Sequence, residues 1–228
     1  MQEAVKRFVR ICFENSENSE EEKKSKPHGL TLIDMPTGSG KTYNTIQLIA
    51  QYLKGEIFQD IPRIFYLTPL NKNVKDAYVE LRKTLKSQGK EDLVDSQCLW
   101  LRANYQSVLD NFNEIEPDIP NELRKESFYN LKKFVGGYNE VSSGSSDSVS
   151  NTKQALETDI KDKFEPAFRR DLKALLSKTC KGKEEKWNKI NSDWNWALKL
   201  YPSILTDKSR VLFMSMDKFF FLNDSIIA

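Results

Sequence analysis

LTLIDMPTGSGKTYNTIQLIAQYLK, residues 30–54, divides into an apolar strand, a glycine-bearing loop and an amphipathic helix. Leu30, Leu32 and Ile33 supply the strand, and Ile46, Ile49, Ala50 and Leu53 recur at helical spacing. Between them lies a phosphate-binding loop. A triphosphate is a dense cluster of anionic oxygens and needs several backbone N–H groups converging on it without side chains in the way. Gly38 and Gly40 allow that approach, and a helix starting near Lys41 turns its unbonded N–H groups and positive dipole end toward the phosphates. The expected nucleotide contacts are Thr37, Gly38, Ser39, Gly40, Lys41 and Thr42. Lys41, the catalytic candidate, should reach the β and γ phosphates of ATP, and the Thr42 hydroxyl should ligate Mg²⁺. The first position of the usual pattern, ordinarily glycine, is Met35.

The octapeptide MPTGSGKT, Met35 to Thr42, resembles motif I of superfamily 2 helicases and DNA translocases, of the DEAD/DEAH and type I/III restriction kinds. The resemblance implies a RecA-like P-loop domain that couples ATP hydrolysis to movement on nucleic acid, DNA ahead of RNA. Further segments are similar to other motifs of that superfamily. QEAV at the start resembles the segment in which a glutamine holds adenine, which makes Gln2 an adenine candidate; its amide can both donate and accept. YLTPLNKNVKDA, residues 66–77, resembles motif Ia, so Thr68, Asn71 and Lys72 are expected to hold a nucleic-acid backbone where a strand end meets a helix start. SRVLFMSMDKFFF, residues 209–221, resembles motif Ib, with Ser215 approaching the same backbone. Its alternative, a Walker B strand with Asp217 on Mg²⁺, is disfavoured because Lys218 stands where the superfamily has glutamate.

Composition bounds the reading. The chain has 228 residues, long enough to bury a sizeable core, and 35 Lys and Arg against 33 Asp and Glu give a formal charge of only +2. Any basic surface must therefore be local. Cys12, Cys98 and Cys180 stand far apart, and His28 is the single histidine. This pattern suggests neither a disulfide framework nor a zinc site, and it makes a cytoplasmic, reducing setting the expectation. No apolar run approaches the roughly 20 residues of a membrane span.

Along the chain, residues 2–14 read as a docking helix with Val5, Phe8, Val9 and Cys12 on one face, followed by a polar loop over residues 15–28. Residues 63–68 read as a second strand, and a helix from Asn71 follows with Val74, Ala77, Tyr78, Leu81 and Leu85 inward. Residues 97–102 read as a third strand, and the apolar run in 209–221 should rejoin the sheet. The fold class expected is α/β: an incomplete RecA-like P-loop parallel sheet with a mainly helical insertion. Residues 1–102 form the first part of the core, 103–206 the insertion with a flexible Ser-rich loop at 141–150, and 207–228 the return. Arg169, Arg170, Lys173 and the lysines after them accompany Trp187, Trp194 and Trp196. Such a mixture can stack bases and neutralise phosphates, but Trp187 and Trp194 at helical spacing also suit a core stripe.

An Asp-Glu pair does not follow Phe221, and a second RecA-like domain is absent from these residues. The expectation is an N-terminal part of a longer motor that binds ATP·Mg²⁺ with little hydrolysis of its own. Two other classes fit a P-loop at this length: a kinase or phosphotransferase with a helical lid, and a non-hydrolysing interaction module.

Overall fold

The computed structural model describes residues 40–57, 59, 63–142 and 147–220. Gln2, Thr37, Gly38, Ser39, the strand at residues 30–33 and the helix at residues 2–14 lie outside the described residues. The chain divides into two compact units, one of residues 1–62 with 76–96, the other of residues 63–75 with 97–228.

In the first unit, α1 (Lys41–Leu53) buries Ile46, Ile49, Ala50 and Leu53 on the face that their spacing marks. It stops where Gly55 turns to φ 74°, so that Gly55 N–H reaches the Tyr52 carbonyl and Glu56 N–H the Gln51 carbonyl. This double bond to the last turn is a Schellman ending. The helix α2 (Asn71–Lys86) spans the boundary of the units and buries Val74, Ala77, Leu81 and Leu85. It ends the same way at Gly89, with Lys90 N–H on the Leu85 carbonyl. Just beyond, Arg82 bonds Glu91 at 2.8 Å and Asp95 at 3.1 Å, tying the short helix α3 (Asp92–Gln97) back to α2.

The second unit holds a wholly parallel three-stranded sheet in the order β1 (Ile64–Thr68), β3 (Val211–Ser215), β2 (Cys98–Leu101). β3 lies in the centre and all five of its residues are buried, as a strand covered on both faces and both edges requires. Ile64 pairs with Val211 and Thr68 with Ser215; Cys98 pairs with Val211 and Leu101 with Met214. Arg210 extends this ladder by donating its N–H to the Gln97 carbonyl at 2.8 Å and its guanidinium to the Gln97 side chain at 3.1 Å.

Between β2 and β3 the chain is helical: α4 (Asn104–Ile115), α5 (Glu126–Ser142), α6 (Asp147–Asp159), α7 (Glu165–Thr179), α8 (Lys183–Ser192) and α9 (Trp196–Leu200). Their core gathers Phe112, Phe128, Phe168, Leu172, Trp196 and Tyr201, all 2% exposed or less. A π turn, Ile160–Phe164, joins α6 to α7. Pro166 explains it: proline has no N–H to donate back along the helix, and widening the preceding turn absorbs that loss. A five-residue helix, α10 (Met216–Phe220), follows β3.

Two expectations change here. The Ser-rich loop at 141–150 narrows, because Val141 and Ser142 continue α5 and Asp147 to Ser150 begin α6; residues 143–146 lie outside the described residues. Trp187 and Trp194 do not share a helix face, since α8 ends at Ser192. Asn191, Ser192 and Asp193 there have short polar side chains that compete for backbone groups and favour helix ends. Among the described residues no helix is long and apolar enough to cross a membrane.

Candidate nucleotide and nucleic-acid sites

The start of α1 carries the described part of the phosphate loop. Gly40 caps it at φ 72°, ψ 26°, a left-handed conformation that costs glycine little and other residues more. Its carbonyl accepts two bonds from Asn44, from the backbone N–H and from side-chain Nδ2, both at 2.9 Å. Helical bonding thus begins at Asn44, and the N–H groups of Lys41, Thr42 and Tyr43 precede it. The first turn contains no carboxylate, and Lys41 and Thr42 are exposed on it. This is a helix end suited to an anion. An exposed hydroxyl one residue into the helix fits the oxygen-preferring chemistry of Mg²⁺.

At the carboxyl edge of the sheet, the register makes Thr68 and Ser215 neighbours across β1 and β3. The Thr68 hydroxyl donates to the Leu70 carbonyl at 2.9 Å. Ser215 is 5% exposed, and its Oγ accepts the Lys218 N–H at 3.2 Å, capping α10. Lys218 also donates from Nζ to Asn104 Oδ1 at 3.0 Å, which turns its charge toward the start of α4. Asp217 is exposed in the first turn of α10. Asn71 and Lys72 open α2, exposed, with no acidic residue in that helix's first turn.

Sequence reasoning missed the groove beside them. A cavity of about 440 Å³ is bounded by Lys72 and Lys75 of α2, Trp100 and Arg102 at the end of β2, and side chains from α4, α5 and α6. The Arg102 guanidinium lies 5.0 Å from the Trp100 ring centroid and pairs with Asp110 at 2.5 Å. Tyr105 donates to Glu157 at 2.9 Å. Burial first, then this carboxylate, push the phenol up to about 12. The alternation in QCLWLR was the available signal, since it separates Trp100 from Leu99 and Leu101.

The basic and aromatic mixture after Arg169 resolves differently. Trp194 and Trp196 are 7% and 2% exposed and stack in the core with centroids 6.1 Å apart, so they are not open to bases. Trp187 is half-buried beneath Lys208, 5.0 Å from its centroid. Arg169 is bound to Glu165 at 2.9 Å, and Lys183 and Lys189 pair with Asp207 and Asp193. A second groove of about 480 Å³ near Pro166 is lined by Asp162, Lys163, Arg169, Arg170 and Lys173, without an aromatic or an amide.

Residues 2–169 match the family described as type III restriction enzyme, res subunit. The chain belongs to that family. The matched region is an ATP-dependent motor domain of the helicase class, with nucleic acid as its substrate class, as the MPTGSGKT resemblance implied. The fold agrees: among the described residues a small parallel sheet lies among helices, as in a RecA-like P-loop domain. Among the curated proteins compared, none matches the chain.

Proposed function

We propose that the chain binds ATP·Mg²⁺ through Thr37, Gly38, Ser39, Gly40, Lys41 and Thr42 and uses the carboxyl edge of its sheet to hold a nucleic-acid backbone, DNA ahead of RNA. Lys41 neutralises the β and γ phosphates, Thr42 ligates the metal, and Gln2 holds the adenine. Mg²⁺ supplies charge neutralisation across the phosphates. Thr68, Asn71, Lys72 and Ser215 position the strand; Lys72 provides charge, and the Ser215 hydroxyl, which accepts the Lys218 N–H, keeps its O–H to donate to the backbone it approaches. Residues 103–206 act as a helical insertion in the motor domain. Turnover by these 228 residues is negligible, because no Asp-Glu pair occurs in them to hold the metal and orient water.

What carries the nucleotide reading is the helix start: Gly40 at φ 72°, followed by Lys41 and Thr42 in a first turn without carboxylates. A thermal melt with and without ATP·Mg²⁺ tests it. Nucleotide at a hundredfold over its dissociation constant adds about 2.7 kcal/mol of stability. The shift should vanish in Lys41→Ala, and no shift at millimolar nucleotide would overturn the proposal.

A further inference from the structure

We infer that the groove beside β2 receives one unstacked base of a single-stranded nucleic acid, with the adjoining phosphates on Lys72 and Lys75. The inference rests on reading the carboxyl edge as the nucleic-acid side. Its volume, about 440 Å³, is within the roughly 300–1,000 Å³ of ligand sites. All the lining residues belong to one compact unit.

The chemistry of the lining separates a base from a bare phosphate. Asn71, Gln106 and Asn139 bring amides, each with a donor pair and an acceptor, into one cavity with the carboxylates Asp110 and Glu157. Amides read adenine edges and carboxylates accept from the cytosine amine. Two carboxylates also make this a poor trench for a polyanion. The groove at Pro166, basic and without amides or rings, has the opposite character.

Flat surfaces complete the site. Trp100 and the Arg102 guanidinium form one stacked layer, and Tyr138 stands on α5 with Lys153 5.1 Å from its ring centroid. Aromatic rings and guanidinium planes are the surfaces on which unpaired bases stack. Lys72 and Lys75, exposed in the first two turns of the 16-residue α2, line the same cavity. A duplex keeps its Watson–Crick edges paired and its bases stacked, so a cavity of this kind selects for a single strand.

The test uses the 228-residue chain and short labelled oligonucleotides, read by fluorescence anisotropy across a salt series. An abasic site is moved one position at a time along the single strand, so that one arm of the experiment leaves the protein unaltered. The expected result is a loss of about fivefold or more at one position, the scale of one stacked base. Tyr138→Leu and Asn139→Ala should weaken single-strand binding to a similar degree and abolish that position effect with the salt slope unchanged; because Tyr138 also packs against the helical core, Asn139→Ala and the abasic series carry the test if Tyr138→Leu lowers the melting midpoint. Lys72→Ala with Lys75→Ala should instead lower the salt slope, by about 1 for each phosphate contact. Salt-dependent binding that is lost with the lysines yet indifferent to the abasic site, to Tyr138→Leu and to Asn139→Ala would overturn the groove inference alone. No binding of the single strand, intact or abasic, would overturn it together with the assignment of the carboxyl edge.

Discussion

Replacing Gly40 by alanine probes the phosphate loop at its most constrained described residue. In the left-handed conformation at φ 72°, a Cβ crowds the following carbonyl at a cost of about 1–2 kcal/mol. The new methyl would also stand 3.3 Å from Asn44 Nδ2, the group that donates to the Gly40 carbonyl. If that amide swings out, a hydrogen bond worth about 0.5–1.5 kcal/mol goes with it. The loop has an escape: Gly40 can leave the left-handed region by giving up both Asn44 bonds and fraying the first turn. Fraying limits the global cost to about 2 kcal/mol, equivalent to roughly 4–8 °C in a chain of this size. It also moves the amides of Lys41 and Thr42, so phosphate affinity should suffer more than stability. Thermal melts with and without ATP·Mg²⁺ should show a lowered midpoint and little nucleotide shift. Gly136→Ala is the control: it lies inside α5, and its added methyl meets nothing within 4 Å. It should gain about 0.5–1 kcal/mol from helix propensity and keep the nucleotide shift. A Gly40→Ala protein with the parental midpoint and the parental nucleotide shift would refute the reasoning.

Phe112→Ala removes a ring whose centroid lies 5.8 Å from that of Phe128 and 6.4 Å from that of Phe168, and should cost about 3–5 kcal/mol in urea unfolding. A loss below about 1 kcal/mol would mean the three rings do not share one core. Tyr105, pushed up to about 12 from an ordinary 10.0 by burial and then Glu157, holds its proton more tightly folded than unfolded. Its contribution to stability is therefore full below about pH 10 and lost as pH rises toward 12; an absorbance titration of Glu157→Gln should find its tyrosinate forming earlier. Burial raises the Glu165 carboxyl above the ordinary range despite Arg169, so folding favours the protonated form. That stability is complete below the ordinary glutamate range and declines as pH rises through the raised value, and Glu165→Gln should flatten the decline in urea midpoints measured across acid to neutral pH.

Much of the scaffold was legible because its signals are local. Val74, Ala77, Leu81 and Leu85 mark one face of α2 by spacing alone, and each proves buried. The three described strands stand where apolar runs were read, and all are parallel. Their order was not legible: a strand of four or five apolar residues carries no label for its neighbour, and β3 takes the centre through pairings with segments more than a hundred residues away. Trp187 and Trp194 do join one core, but not along one helix face, because the helix ends at Ser192, a local stop that periodicity overlooks. The groove escaped because its lining is assembled from residues as far apart as Asn71 and Glu157, each unremarked in its own segment. The helix that begins at Lys41 was also legible, since Ile46, Ile49, Ala50 and Leu53 mark its buried face by spacing.

The route of the chain explains why helices added between β2 and β3 border the carboxyl edge. In a parallel sheet, each connection leaves one strand at its carboxyl end and must return to the amino end of the next. Here the chain leaves after Leu101 and returns at Arg210, whose N–H meets the Gln97 carbonyl at the start of β2. Any helix that follows β2 directly must begin at the carboxyl edge where β3 ends in Ser215, and α4 does so, with Asn104 held by Lys218 of α10. Gln106 and Asp110 reach the groove for that reason, and α5 and α6 supply Tyr138, Asn139 and Glu157 to its wall. If the proposed groove holds a nucleic-acid strand, substitutions in these helices should change single-strand affinity in fluorescence anisotropy while leaving Lys41 and Thr42 unaltered; unchanged affinity would count against the groove.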